Sequence, residues 1–127
     1  MLRFKNIWLF IGWIQVGLVI YLSLIRIETD TPDFKGLDKL FHLMTYTSLM
    51  LWFGFCRLSK KTFLVIGIWL IIIGITLELI QGNIAYRSMS SSDMLANSLG
   101  ISLGWLLAKT PMSSALVYLE NKFWRNN

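Results

Sequence analysis

The 127 residues include one cysteine, one histidine, two prolines and seven acids. The single cysteine, Cys56, excludes an intramolecular disulfide and any CxxC metal motif. It lies at the end of an apolar block beside Arg57 and reads as a small apolar residue. Charged residues make up 15% of the chain, against about 25% in soluble domains. The net charge of +5 raises the question of nucleic acid. No basic patch interleaves with exposed aromatics and no nucleic-acid motif occurs, so no such partner is expected. Phosphate loops, dinucleotide fingerprints, a Ser-His-Asp order, internal repeats and low-complexity linkers are also missing.

What the chain has is apolar length. Apolar residues reach 55% and aromatics 14%, gathered into blocks as a bilayer requires. The first block runs from about 7 to 25 and follows Arg3 and Lys5. It is too long for a signal-peptide core and no small-x-small cleavage site follows, so a retained span is expected. Further blocks cover about 38–56, 62–81 and 93–108. The tail from 112 to 125 places Met112, Leu116, Leu119 and Phe123 on one stripe, with Asn121, Lys122 and Arg125 around it. That pattern predicts an amphipathic helix lying on a membrane surface. The expected fold is all-α: one polytopic membrane domain over residues 1–127, with four transmembrane helices and a C-terminal interfacial helix.

Loop charges orient these spans. Basic residues favour the cytoplasmic side. Arg3 and Lys5, then Arg57, Lys60 and Lys61, then Lys109, Lys122 and Arg125 fall on one side of a four-span chain. Both termini are therefore expected in the cytoplasm. The other side receives the acidic loop with Glu28, Asp30 and Asp33 and the loop with Arg87. It also receives the ends of the helices that carry Asp38 and His42, Glu78 and Gln81, and Asp93 and Asn97.

Asp38, His42 and Tyr46 are spaced four apart and share one helical face. Ser88, Ser90–Ser92 and Asp93 are strong N-cap candidates for the fourth helix. Gly100 and Gly104 recur at helical spacing and invite close approach by another helix. Ionisable groups inside a span cost about 3 kcal/mol on insertion scales, so they face the bundle interior and take partners. Candidate catalytic residues are Asp38, His42, Glu78 and Asp93: His42 or Glu78 moves a proton and Asp38 orients the imidazole. Candidate substrate-binding residues are Tyr46, Gln81, Arg87 and Asn97, with Arg87 holding an anionic group. The acids and His42 also offer donors for a weak Mg²⁺ or Ca²⁺ site. One histidine without a cysteine cluster argues against a typical zinc site, and no metal or cofactor is assigned. The competing reading makes the same residues a polar staple, with Glu78 or Asp93 paired to Arg87 and His42 bonded to Asn97.

Two segments carry a resemblance. Asp38-Lys39-Leu40-Phe41-His42-Leu43-Met44-Thr45-Tyr46 is similar to the D-K-x-x-H-x-x-x-Y segment of the VanZ-like family. Glu78-Leu79-Ile80-Gln81, Arg87 and Asp93-Met94-Leu95-Ala96-Asn97-Ser98-Leu99-Gly100 resemble its E-x-x-Q…R…D-x-x-x-N-x-x-G segment. Each motif is modest alone; their order and spacing together are specific. The short fourth span and tail suggest that further spans or fused domains found in some relatives are absent here. The resemblance implies a multi-pass protein of the bacterial cytoplasmic (inner) membrane. The family takes its name from a member associated with low-level resistance to the glycopeptide teicoplanin.

The expected function is binding, or acting on, a lipid-linked or cell-envelope molecule at an extracytoplasmic site, with a link to such resistance as the family's contribution. Membrane lipids and a cell-wall precursor are the expected partners, with a homo-oligomer as a further expectation. The alternative is a non-enzymatic packing module that meets a partner through Gly100, Gly104 and the tail. A small channel or transporter fits less well, because the polar residues stop near one face rather than tracing a path.

Overall fold

The structure, a computed structural model, describes residues 2–25, 36–83 and 89–125. Among them the regular structure is entirely helical: α1 (Lys5–Leu24), α2 (Leu37–Phe55), α3 (Lys60–Gly82), α4 (Ser91–Leu107) and α5 (Ala115–Arg125). A 3₁₀ turn, Pro111–Ser114, separates α4 from α5. The four apolar blocks thus fold as the four long helices, with ends within a few residues of those expected. The tail is the exception, because Pro111 starts the 3₁₀ turn and Thr110 Oγ1 accepts the Met112 N–H at 3.3 Å. Its stripe is also divided: Leu116 is buried, whereas Met112, Leu119 and Phe123 are exposed.

The helix boundaries follow from local chemistry. Ser59 caps α3 by accepting the Thr62 N–H at 3.1 Å, and Ser90 caps α4. Each satisfies a donor that the first turn leaves unpaired. α2 ends in a turn where Arg57 adopts φ 52°, a left-handed conformation that costs an L-residue about 1–2 kcal/mol.

Packing centres on α2. Met50 and Phe53 are fully buried, with Val16 from α1, Ile66 and Leu70 from α3 and Ile101 from α4 around them. The α2–α4 seam is the tightest. A Cβ at Gly104 would stand 2.6 Å from the Thr47 carbonyl oxygen, and one at Gly100 would collide with the Leu43 carbonyl oxygen. Small residues therefore bring the two backbones together, as between helices in lipid. The same observation corrects one expectation: the Gly100–Gly104 face is filled by this chain's own α2 and is not open to a partner. On the other side of α2, the Trp52 indole N–H donates to the Trp8 carbonyl at 3.0 Å. Gly12 lets Phe53 and Trp52 close against α1.

α1 and α3, of 20 and 23 residues, are each long and apolar enough to cross a membrane. Only 11% and 33% of their apolar windows are buried; the core helix of a soluble protein would be mostly covered. Phe10, Trp13, Leu18 and Tyr21 of α1 and Ile68, Trp69 and Ile72 of α3 face outward. α2 and α4 carry the polar residues. The 17 residues of α4 reach about 26 Å at 1.5 Å per residue.

The start of α1 meets α5. Glu120 of α5 accepts the Arg3 N–H at 2.7 Å, the Phe4 N–H at 3.1 Å and the Trp8 indole N–H at 2.6 Å. A carboxylate thus sits at the positive N-terminus of α1, where Phe4 itself provides no side-chain cap.

Candidate functional site

The polar side chains enter through helix ends. Asp38 lies in the first turn of α2, where free N–H groups favour a carboxylate. His42 and Tyr46 follow one and two turns later on the same face. That face descends into the bundle: the Asp38 side chain is 65% exposed, that of His42 16%, and Tyr46 belongs to the core.

At the start of α4 the Ser90 hydroxyl accepts the Asp93 N–H at 3.3 Å and stands 2.8 Å from Ser92 Oγ. The Ser90 backbone N–H in turn donates to Glu78 Oε1 at 2.6 Å. Glu78, buried at the end of α3, therefore holds the capping residue of α4. That contact fixes where Asp93 enters the bundle.

Asp93 and Asn97, one turn apart on α4, both turn inward and are buried. His42 Nδ1 stands 3.0 Å from Asn97 Oδ1. An amide oxygen only accepts, so Nδ1 carries the hydrogen and donates. In the neutral ring this leaves Nε2 as a lone pair. Nε2 lies 3.7 Å from Asp38 Oδ1 and 4.0 Å from Asp93 Oδ2, both longer than a hydrogen bond. Donor atoms of Asp38, His42 and Asp93 all lie within 4.8 Å of one another.

The second Asp93 oxygen, Oδ1, is buried and has no hydrogen-bond partner among the described residues. Leaving a buried acceptor unpaired costs about 1–3 kcal/mol. Among the described residues, His42 is the one basic side chain within ion-pair reach of Asp93. Chemically, the arrangement offers an oriented imidazole nitrogen between two carboxylates. It can accept a proton or hold a cation.

The other candidate residues fall into place around this group. The Tyr46 hydroxyl and the Asn97 amide nitrogen converge on Gly74 of α3, where a Cβ would stand 3.1 and 3.2 Å from them. Gly74 was not anticipated. Its signal was a lone glycine in a run of isoleucines one turn before Glu78, where glycine costs about 1 kcal/mol relative to alanine. Gln81 is also buried, but its Nε2 donates to the Ser23 carbonyl at 2.7 Å. It joins α3 to the end of α1 rather than joining the His42 group. Arg87 lies outside the described residues, as do Glu28, Asp30 and Asp33.

A cavity of ≈ 560 Å³ opens at the opposite end of the bundle, between Arg57, Lys60, Lys109 and the Trp105 ring. It contains none of the candidate residues. Its basic lining matches the charge bias of that end, and it is separate from the acidic group.

Residues 1–115 match the family model described as VanZ/LLP1. No curated protein and no solved structure matches the chain.

Proposed function

The chain belongs to the VanZ/LLP1 family, and on that premise we propose that it is a multi-pass protein of the bacterial cytoplasmic membrane with a working polar site on the extracytoplasmic side. In this reading α1 to α4 all cross the membrane, both termini face the cytoplasm and α5 lies along the inner surface. The outward-facing apolar side chains of α1 and α3 support contact with lipid. The joining of Glu120 to Arg3 supports termini on one side. The site binds, or acts on, a lipid-linked or cell-envelope molecule. A link to teicoplanin-type resistance is the phenotype the family suggests.

The observation that carries this reading is the buried Asp93 carboxylate: Oδ2 stands 4.0 Å from His42 Nε2, and Oδ1 has no hydrogen-bond partner among the described residues. A purely structural cluster would satisfy its own acceptors, since each orphan weakens the fold. His42 acts as the base, with Asp38 and Asp93 flanking it and Asn97 fixing its tautomer. Glu78 positions Asp93 through Ser90, and Tyr46 packs behind Asn97. Arg87 supplies the positive charge for an anionic group on the ligand.

The staple reading draws on different contacts: His42 with Asn97, Gln81 with Ser23 and Glu78 with Ser90. Asp38 separates the two readings, because its side chain is 65% exposed and a buried staple does not depend on it. Cells lacking the protein would be complemented with Asp38→Asn, His42→Gln and Asp93→Asn, with teicoplanin susceptibility and membrane yield measured together. Loss of complementation by Asp38→Asn at normal yield supports the site. Full complementation by all three variants, or a loss that follows yield alone, favours the staple.

A further inference from the structure

We propose that Asp38, His42 and Asp93 form a binding site for one divalent transition-metal cation, of the Mn²⁺ or Zn²⁺ class. The inference builds on reading this cluster as a site, and it adds a ligand that the sequence did not assign. Spacing places Asp38 and His42 on one helical turn. Only the α2–α4 seam brings Asp93 to the same point.

The first argument is the ring's tautomer. With Nδ1–H given to Asn97 Oδ1, the neutral imidazole has no proton on Nε2. Three lone-pair atoms then face one another: Nε2, Asp38 Oδ1 and Asp93 Oδ2. Such a grouping is repulsive until a positive charge lies within it. A proton on Nε2 would draw one carboxylate to about 2.7–2.9 Å, the length of a charge-assisted hydrogen bond. The separations are instead 3.7 and 4.0 Å. Oxygen and nitrogen ligands bound at about 2.0–2.2 Å to one ion stand about 3–4 Å apart.

The second argument is Asp93 itself. It is 7% exposed, and its Oδ1 has no partner among the described residues, while Oδ2 faces His42. A cation at this point would neutralise the carboxylate and account for a burial that the described side chains leave uncompensated.

The third argument is what surrounds the donors. A metal-bound histidine usually donates its other ring N–H to a fixed acceptor, which sets the tautomer and ring orientation; Asn97 Oδ1 occupies that position. Asp38 lies at the exposed mouth of the group, which gives an ion a route in and leaves coordination positions for water or ligand. One imidazole nitrogen with two carboxylates favours a first-row divalent ion over Mg²⁺ or Ca²⁺, which prefer all-oxygen sets.

The test uses the full chain in detergent micelles, stripped with EDTA and titrated with Mn²⁺ while free Mn²⁺ is read by electron paramagnetic resonance. Wild type should bind one Mn²⁺ per chain and release it to Zn²⁺. Asp38→Asn and His42→Gln should each weaken binding at least tenfold with an unchanged helical circular dichroism spectrum. Asp93→Asn should abolish binding. If that variant fails to fold, the exposed Asp38→Asn substitution still decides the matter. No saturable binding by wild type, or equal binding by folded Asp38→Asn and His42→Gln, overturns the proposal. This readout requires no lipid or drug. Loss of resistance in Asp38→Asn cells without Mn²⁺ binding in vitro would therefore reject the metal and leave the proposed function standing.

Discussion

Gly100 of α4 packs on the Leu43 carbonyl of α2, and the residue beside Leu43, His42, bonds to Asn97 less than one turn before Gly100. The closest approach of the two backbones and the meeting of the two polar side chains are thus one feature. The Leu43 contact sets the interhelical distance at which the imidazole reaches the amide.

Gly100→Leu should consequently disrupt both the fold and the site. Its side chain has no room, and overpacking of this kind costs about 3 kcal/mol or more when backbone must move. Gly17→Leu on α1, where a Cβ meets nothing within 4 Å, should be tolerated. Thermal unfolding in micelles and membrane yield would compare them. Equal behaviour of the two variants would contradict the α2–α4 seam.

Asn97→Leu should release the ring. The substitution keeps approximate volume but removes the acceptor for Nδ1–H, at a cost of about 1–3 kcal/mol. The chain has a single histidine, so ¹⁵N-histidine labelling yields one pair of imidazole resonances. Wild type should show the Nδ1-protonated tautomer in its neutral form. The variant should move toward the Nε2-protonated form, which predominates in free imidazole side chains.

Glu120 should make the junction of the chain ends sensitive to acid. Desolvation raises its pKa, but the Arg3 N–H, the Trp8 indole, the Phe4 N–H and the N-terminal charge together lower it overall. A depressed carboxyl contributes fully above its unfolded value of about 4.3 and loses that contribution as pH falls through the lower folded value. The Trp8 indole N–H resonance should therefore hold steady at neutral pH and shift only in acid, below the ordinary carboxylate range. Glu120→Gln should flatten that titration. Glu120 is only half-buried, so the effect on global unfolding should be small.

The proposed topology predicts which sites an impermeant thiol reagent reaches. The native thiol, Cys56, is fully buried and should stay silent. In intact cells Leu37→Cys, at the exposed start of α2, should be labelled. Ser59→Cys, in the turn before α3, should react only after lysis. Labelling of Ser59→Cys from outside would invert the arrangement.

Much of this was legible from spacing. The Asp38–His42–Tyr46 face follows from a repeat of four on a helix. Ser90 and Asp93 announce a helix start by their chemistry. Gly100 and Gly104 announce a close contact, but not that α2 makes it, since small residues signal room and not the identity of the neighbour. Gln81, polar and near Glu78, points toward the site in sequence. Its actual partner is a backbone carbonyl, a group every residue possesses and no sequence pattern marks. Glu120 carries no sequence signal for the same reason: two of its donors are main-chain N–H groups 117 and 116 positions away. The unpaired Asp93 oxygen is likewise a fact of packing. Only three helix ends in position together decide which acceptors find a donor.

The bond from Glu120 to the Arg3 N–H spans 117 positions of sequence. A ribosome supplies the carboxylate long after α1 has left it, so during synthesis the first turn of α1 waits without that partner. The fifth helix is the one that fastens the first. This end of the bundle therefore closes only after synthesis has passed residue 120, and a nascent chain stalled before that point would present α1 with its leading turn still open.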